Sequence, residues 1–442
     1  SLAKKKRAKE LKILLLGDIF DLIRSTQWFH VSAKDRPWGQ GGRRDIDSCR
    51  KNSVTEKQCL KILGRVQPAS LNKAKPPASL AKATILSKNW STFSLFRQLT
   101  SNPKDYLGID IPVEIIYVPG NHDRLCNLYP SVRDEVRKIL GLTIRADSVD
   151  GDPDQEWWFK HDFLCPSHGV YGRHGHQYDI WNFGGRNDFT RQGHLQVPIG
   201  DVLTTEFAVK IPWVLHTLKK EYHLSSRLIE KTKDIDNVRP LSCVMEWLYY
   251  RIRKEDRGKV RRAFDHAFDT VVKELLEIEL VQQWRSPDTH ADALLRLAGS
   301  RWVSWFPGKL LDRLDAEDLL PLLVSAADSS KDPENDRYMQ AAFKENLWRH
   351  QKEIRFVLLG HTHTPLHRPL DGEDGREVVY INTGTWRNRI YKTVNLDQSP
   401  DFVDLKQLTY AIFYRKDEDT KNKVSDALGF DMWTGVRKKH YL

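Results

Sequence analysis

The chain has few cysteines, five among 442 residues, and no two of them form a CxxC pair. Cys49, Cys59, Cys126, Cys165 and Cys243 are scattered and odd in number, which argues against a zinc ribbon or a disulfide framework. A reducing compartment suits such usage, and a cytoplasmic location is the expectation. No run approaches 18 consecutive apolar residues, so no transmembrane segment is expected. Residues 1–12 are polar and basic without an apolar centre and do not read as a secretory signal. The basic run Lys4-Lys-Lys-Arg7 is expected on the exposed face of a helix leading into a strand. No internal repeat is present, and nothing specifies an oligomeric state.

An acidic excess is also lacking. Seventy Lys and Arg face 59 Asp and Glu, giving a net charge of +11 and a pI near 9.2. That balance suits anionic partners: a phosphorylated substrate, nucleic acid or an acidic lipid surface. Because the two signs are interspersed, solvent-facing helices coated with Lys and Arg explain it equally well. The hydrophobic content of 40% and charged content of 29% are ordinary for a globular protein.

What stands out is a set of short blocks. Leu16-Gly-Asp-Ile-Phe-Asp21 follows the aliphatic run 13–16, Val118-Pro-Gly-Asn-His-Asp123 follows 113–118, and Leu359-Gly-His-Thr-His363 follows 356–359. Runs of this length bounded by Gly read as buried strands. Three strands would then present Asp, Asn and His at one sheet edge, where open α/β sheets carry their chemistry. Carboxylate, amide and imidazole groups suit Mn, Fe, Zn or Mg. A fourth block, Arg173-His-Gly-His-Gln-Tyr-Asp179, adds further imidazoles.

Taken in order, these blocks resemble the calcineurin-like metallophosphoesterase superfamily, with its GDxxD, GNHD, His-Gly and GHxH blocks. The resemblance spans residues 17–363 but leaves the intervening segments unexplained. It implies a two-sheet α/β sandwich flanked by helices and metal-dependent hydrolysis of a phosphate ester. Two divalent ions, Mn foremost with Fe, Zn or Mg as alternatives, would activate water and neutralise phosphoryl oxygens. By resemblance, Asp18 bridges the metals, Asn121, His174 and His361 complete the second, and His363 serves the first. His122 would be the general acid and Asp123 the carboxylate orienting it. Arg124, Arg173 and His176 are weaker candidates for substrate contact, as are Arg24 and Arg186, and His168 is a rival to His174.

The family also begins with a strand ending in Asp-x-His, and none precedes Gly17 here. Asp288-Thr-His290 has the spacing but follows Ser-Pro and is expected to start a helix. Two other function classes therefore stay open: a nuclease or phosphodiesterase, and a non-catalytic member binding a ligand or partner. Trp157, Trp158, Tyr178, Trp181 and Phe183 would serve a nuclease as stacking surfaces, although such residues are more often core.

The expected organisation is a core over 1–199 with a loop-rich insertion at about 28–110, a helical insertion or cap over 200–350, and the rest of the core over 351–442. Helical spacing is clearest at Val260, Phe264, Ala267, Val271, Leu275 and Ile278. Residues 408–414 alternate as a strand, and the tail 417–442 is polar with little signal.

Overall fold

A computed structural model describes residues 1–38, 53–71, 73, 75–142, 158–239, 243–252, 257–284, 336–372, 375–393, 401–415, 418 and 428–438. Asp288 and His290 lie outside the described residues. The fold is mixed α/β, with eleven strands in three sheets among the described residues.

Strands β1 (Leu11–Leu16) and β2 (Val113–Val118) pair in parallel, with Leu16 opposite Val118. Both runs stop at Gly17 and Pro119, so the turns carrying Asp18 and Asn121 leave at the same level. A second sheet has the order β3 (Asp162–Cys165), β4 (Val170–Arg173), β6 (Phe356–Leu359), β8 (Glu377–Thr383) and β7 (Pro365–Asp371). Within it β4, β6 and β8 are parallel, so His174, Gly360 and Asn382 gather at their carboxyl ends. The third sheet joins β5 (Val238–Arg239), β9 (Asn388–Lys392), β10 (Phe402–Tyr414) and β11 (Gly429–Lys438). Phe356, Leu358 and Ile381 pack with Leu14 and Leu16 of β1 and with Phe413, Phe430 and Met432 of β10 and β11. That shared apolar layer seats the first sheet over β4 and β6.

The helix Arg257–Leu276 forms as its spacing predicts, and Val260, Phe264, Ala267, Val271 and Leu275 are all buried. Wider five-residue turns over Leu203–Val209 precede the helix Lys210–Thr217 that contains Pro212. Such a bulge accommodates a residue whose ring crowds the carbonyl four positions back.

The helical segment is not a detached cap. One continuous core runs from Phe20 through Trp28, Leu125 and Val132 to Ile211, Trp247, Val271 and Phe402. The same segment also lends β5 to the third sheet beside β9. Within the tail, Gly429–Lys438 forms β11, a ten-residue partner for β10. Its polar signal comes from an edge strand whose Trp433 and Val436 stay exposed.

The helices Arg124–Leu128 and Ile199–Val202 are joined by an interior ion pair. Asp201 is fully buried, and Arg124 donates from Nε to its Oδ2 at 2.9 Å. Removing one partner of such a pair strands the other charge, at a cost of about 3–5 kcal/mol. Asp201→Ala should lower the urea midpoint by that equivalent, and a midpoint shift worth under about 1 kcal/mol would show that the pair does not tie the two helices together.

Candidate metal centre

The three sheet ends converge. Asp18 Oδ2 lies 3.3 Å from His174 Nε2, which lies 3.3 Å from Asn121 Oδ1, which lies 3.2 Å from His361 Nδ1. These four atoms are aimed by partners behind them. His174 Nδ1 meets the Leu16 carbonyl at 2.9 Å, which fixes Nδ1 as donor and turns Nε2 toward Asp18. Burial pushes the His174 pKa down, but the charge of Asp18 prevails and raises it. His361 Nε2 meets Asp179 Oδ2 at 2.9 Å, which turns Nδ1 toward Asn121. Asn121 donates from Nδ2 to Asn182 Oδ1, and Asn182 donates from Nδ2 to Asp179 Oδ2, so the Asn121 amide oxygen must face the site.

Two oxygens and two imidazole nitrogens thus face one another across the site. Donors about 2.1 Å from a shared cation stand about 3.0–3.4 Å apart, which matches these separations. By residue type alone, no group of three or more His, Cys, Asp and Glu side chains able to hold a metal forms among the described residues. The separations link the residues in a chain, Asp18 to His174 to Asn121 to His361.

Burial opposes ionisation of Asp18, yet the neighbouring His174 and His122 outweigh it and hold its pKa well below the usual carboxylate range. Burial likewise pushes Asp179 up, and its hydrogen bonds with His361, Asn182 and the Trp181 N–H bring it down to about 2. The chain accommodates this crowding with unusual backbone. Asp18, Asp21, His361 and His363 all have φ between 50° and 63°, in the left-handed region. Non-glycine residues are uncommon there, and they collect at functional sites. Two glycines are required by close approach: a Cβ on Gly17 would lie 2.1 Å from His174 Nδ1, and one on Gly120 would lie 2.2 Å from Asp18 Oδ1.

His122 lies beside this quartet, with its N–H donating to Asp18 Oδ1 at 2.9 Å. The carboxylate on its ring is Asp21, 2.9 Å from Nδ1, and this corrects the expectation that Asp123 would orient it. Asp123 instead accepts the backbone N–H groups of Ile19, Phe20 and Asp21 at 2.7, 2.9 and 3.0 Å. Burial and Asp18 push Asp123 up to about 6 against the pull of those bonds. For His122, burial pushes the pKa down and Arg24 adds to this, but Asp21 and Asp18 prevail and the net direction is up.

Other expectations change with the geometry. Arg124 is engaged with Asp201, and Arg173 is buried against Asp162 and Glu345, so neither is presented to a substrate. His176 is buried beside His174 and His194 rather than at the site's open edge. Trp181 and Phe183 are core residues, and the Tyr178 hydroxyl is bonded to Glu345, which withdraws them as stacking surfaces; Trp157 lies outside the described residues. His168 pairs with Cys165 away from the quartet.

His363 accepts at Nδ1 from Arg239 Nη2 at 3.2 Å. Burial and Arg239 hold its pKa well below the ordinary imidazole value. Sequence reasoning missed Asp179, Asn182, Arg239, Arg387 and Arg389. Only Asp179, inside the fourth block, carried any local signal.

Searches with known protein-family models, curated proteins and solved structures find no match to this chain.

Gly120→Ala must displace Asp18. We expect titration calorimetry to show Mn²⁺ affinity reduced roughly 10- to 100-fold, as when a ligand's support is lost, with the far-ultraviolet circular dichroism unchanged. Unaltered affinity would remove Asp18 from the ligand set.

Proposed function

We propose that the chain is a metal-dependent phosphoesterase of the calcineurin-like kind, with β1, β2, β4 and β6 delivering its site from the edges of a layered α/β core. The observation that carries this reading is the quartet of Asp18, Asn121, His174 and His361, each donor aimed by a partner behind it and set beside a His–Asp pair. A divalent ion held by the quartet would meet mixed oxygen and nitrogen donors, which suit Mn. Such an ion supplies Lewis acidity toward a phosphoryl oxygen and lowers the pKa of water. Among the described residues, the surroundings of His363 do not fit a second ion, because Nδ1 is already bonded to Arg239 and Arg389 packs against the same residue.

The chain's own residues account for the proton. Against burial, Asp21 and Asp18 raise the His122 pKa, favouring the protonated ring that a general acid needs. Asp21 meets the ring at Nδ1, and Arg24 lies against the ring's other nitrogen, Nε2. Arg24 Nη2, 3.4 Å from Nε2, keeps that nitrogen oriented when the ring is neutral.

Hydrolysis of p-nitrophenyl phosphate or its bis ester in Mn²⁺ should fall about 100-fold or more in His122→Ala, the share of a positioned general acid. Equal turnover in the variant, or none in the unmodified chain, would overturn the reading. A protonated acid is needed, so activity should decline as pH rises through the elevated His122 pKa. Asp21→Asn removes the larger of the two carboxylate influences that raise it, so the alkaline decline should move to lower pH. A pH–rate profile that does not move would exclude His122 as the titrating acid.

A further inference from the structure

We propose that the arginines around His363 form a pocket for a dianionic terminal phosphate, which makes the substrate a phosphomonoester rather than a diester. The substrate class rests on the hydrolytic reading above, whereas the pocket itself does not.

Four guanidinium groups meet here from separate elements. Arg24 follows the Asp21 turn, Arg239 ends β5, Arg387 precedes β9, and Arg389 lies within it. The register of β5 with β9, Val238 opposite Ile390, brings Arg239 and Arg389 together on either side of His363. Arg24 and Arg387 share two carboxylates. Arg24 pairs with Asp21 at 3.0 Å and with Asp236, and Arg387 reaches the same two residues at 3.6 and 3.4 Å.

The other two arginines have only neutral acceptors among their described hydrogen bonds. Arg239 donates to the carbonyls of Asp236 and Val238 and to His363 Nδ1. Arg389 donates to the His363 carbonyl and to Thr364 Oγ1, and its buried Nε has no partner. Burial, together with repulsion by Arg389 and Arg24 and against the attraction of Asp236, lowers the Arg239 pKa to about 10. Burying a guanidinium without a counter-charge is costly unless an anion supplies it.

Counting direct partners, the four guanidiniums share two carboxylates, Asp21 and Asp236, while Asp18 lies near enough to Arg24 to offset part of the remaining positive charge. A terminal phosphate carries about two negative charges near neutral pH, and a diester carries one. Guanidinium forks also match phosphate oxygens pairwise. Arg387, with 37% of its side chain exposed, stands at the solvent end of the group. Asp18 and His122 lie close enough to influence Arg24 and each other, so a phosphate held here lies next to the proposed acid.

The test uses the full chain stripped of metal with EDTA, so binding is read without turnover. Calorimetry at pH 7.5 should show saturable binding of inorganic phosphate and at least about 10-fold weaker binding of dimethyl phosphate, a monoanionic diester. Arg387→Gln, at the exposed mouth, and Arg239→Gln should each weaken phosphate binding about 10-fold. Arg239→Lys should recover part of that loss, which a general folding defect would not allow. Equal affinity for the two probes, or an Arg387→Gln variant that binds phosphate as the unmodified chain does, overturns the pocket. With Mn²⁺ restored, the unmodified chain should prefer p-nitrophenyl phosphate to its bis ester in kcat/KM, and Arg239→Gln should erase most of that preference. Phosphate binding that survives without hydrolysis of either ester would uphold the pocket and sink the hydrolytic reading. Hydrolysis without selective phosphate binding would do the reverse.

Discussion

Everything at the site hangs on one buried carboxylate. Asp123, at the end of the second block, has no exposed surface and accepts three consecutive backbone N–H groups from the turn after β1. A carboxylate in that role acts as a staple: it ties the loop that carries Asp18 and Asp21 to the loop that carries Asn121 and His122. Besides strand pairing, the two loops are tied by the His122 N–H to Asp18 and the His122 ring to Asp21, and Asp123 adds three bonds to those two. Burial and the nearby Asp18 make ionisation of Asp123 costly, and the three N–H bonds offset much of that cost.

Behind the staple, a polar relay continues the same logic. Asp179 aims His361 directly and Asn121 through Asn182, and the Leu16 carbonyl aims His174. Asn382 donates to the Gly360 carbonyl and accepts the Gly384 N–H, holding the turn before His361. Groups that orient a ligand matter nearly as much as the ligand. Here they come from the same strand ends as the donors, so the sheet register sets both.

The parts legible in the sequence were those written locally. β1, β2 and β6 announced themselves as aliphatic runs ending in glycine or Pro-Gly, and the residues just beyond them, Asp18, Asn121 and His361, do converge. The long helix Arg257–Leu276 was legible because its apolar spacing has one period. What was not legible depends on pairing across the chain. Asp21 and Asp123 both sit in motif blocks, and nothing in the spacing says which carboxylate meets His122. Arg239, Arg387 and Arg389 lie in unremarkable stretches and become a cluster only when β5 docks against β9. β11 was missed because an edge strand keeps polar and exposed residues that blur its alternation.

The order in which the chain is made gives the quartet another meaning. Leu16 and His174 are 158 positions apart, and Asn121 and His361 are 240 apart. A nascent chain that has emerged only through its first two hundred residues holds Asp18, Asn121 and His174 but neither β6 nor the imidazole beyond it. Contacts of such separation form late, since closing long loops is slow. The centre therefore cannot be complete until β6, near the C-terminal end of the chain, has been made.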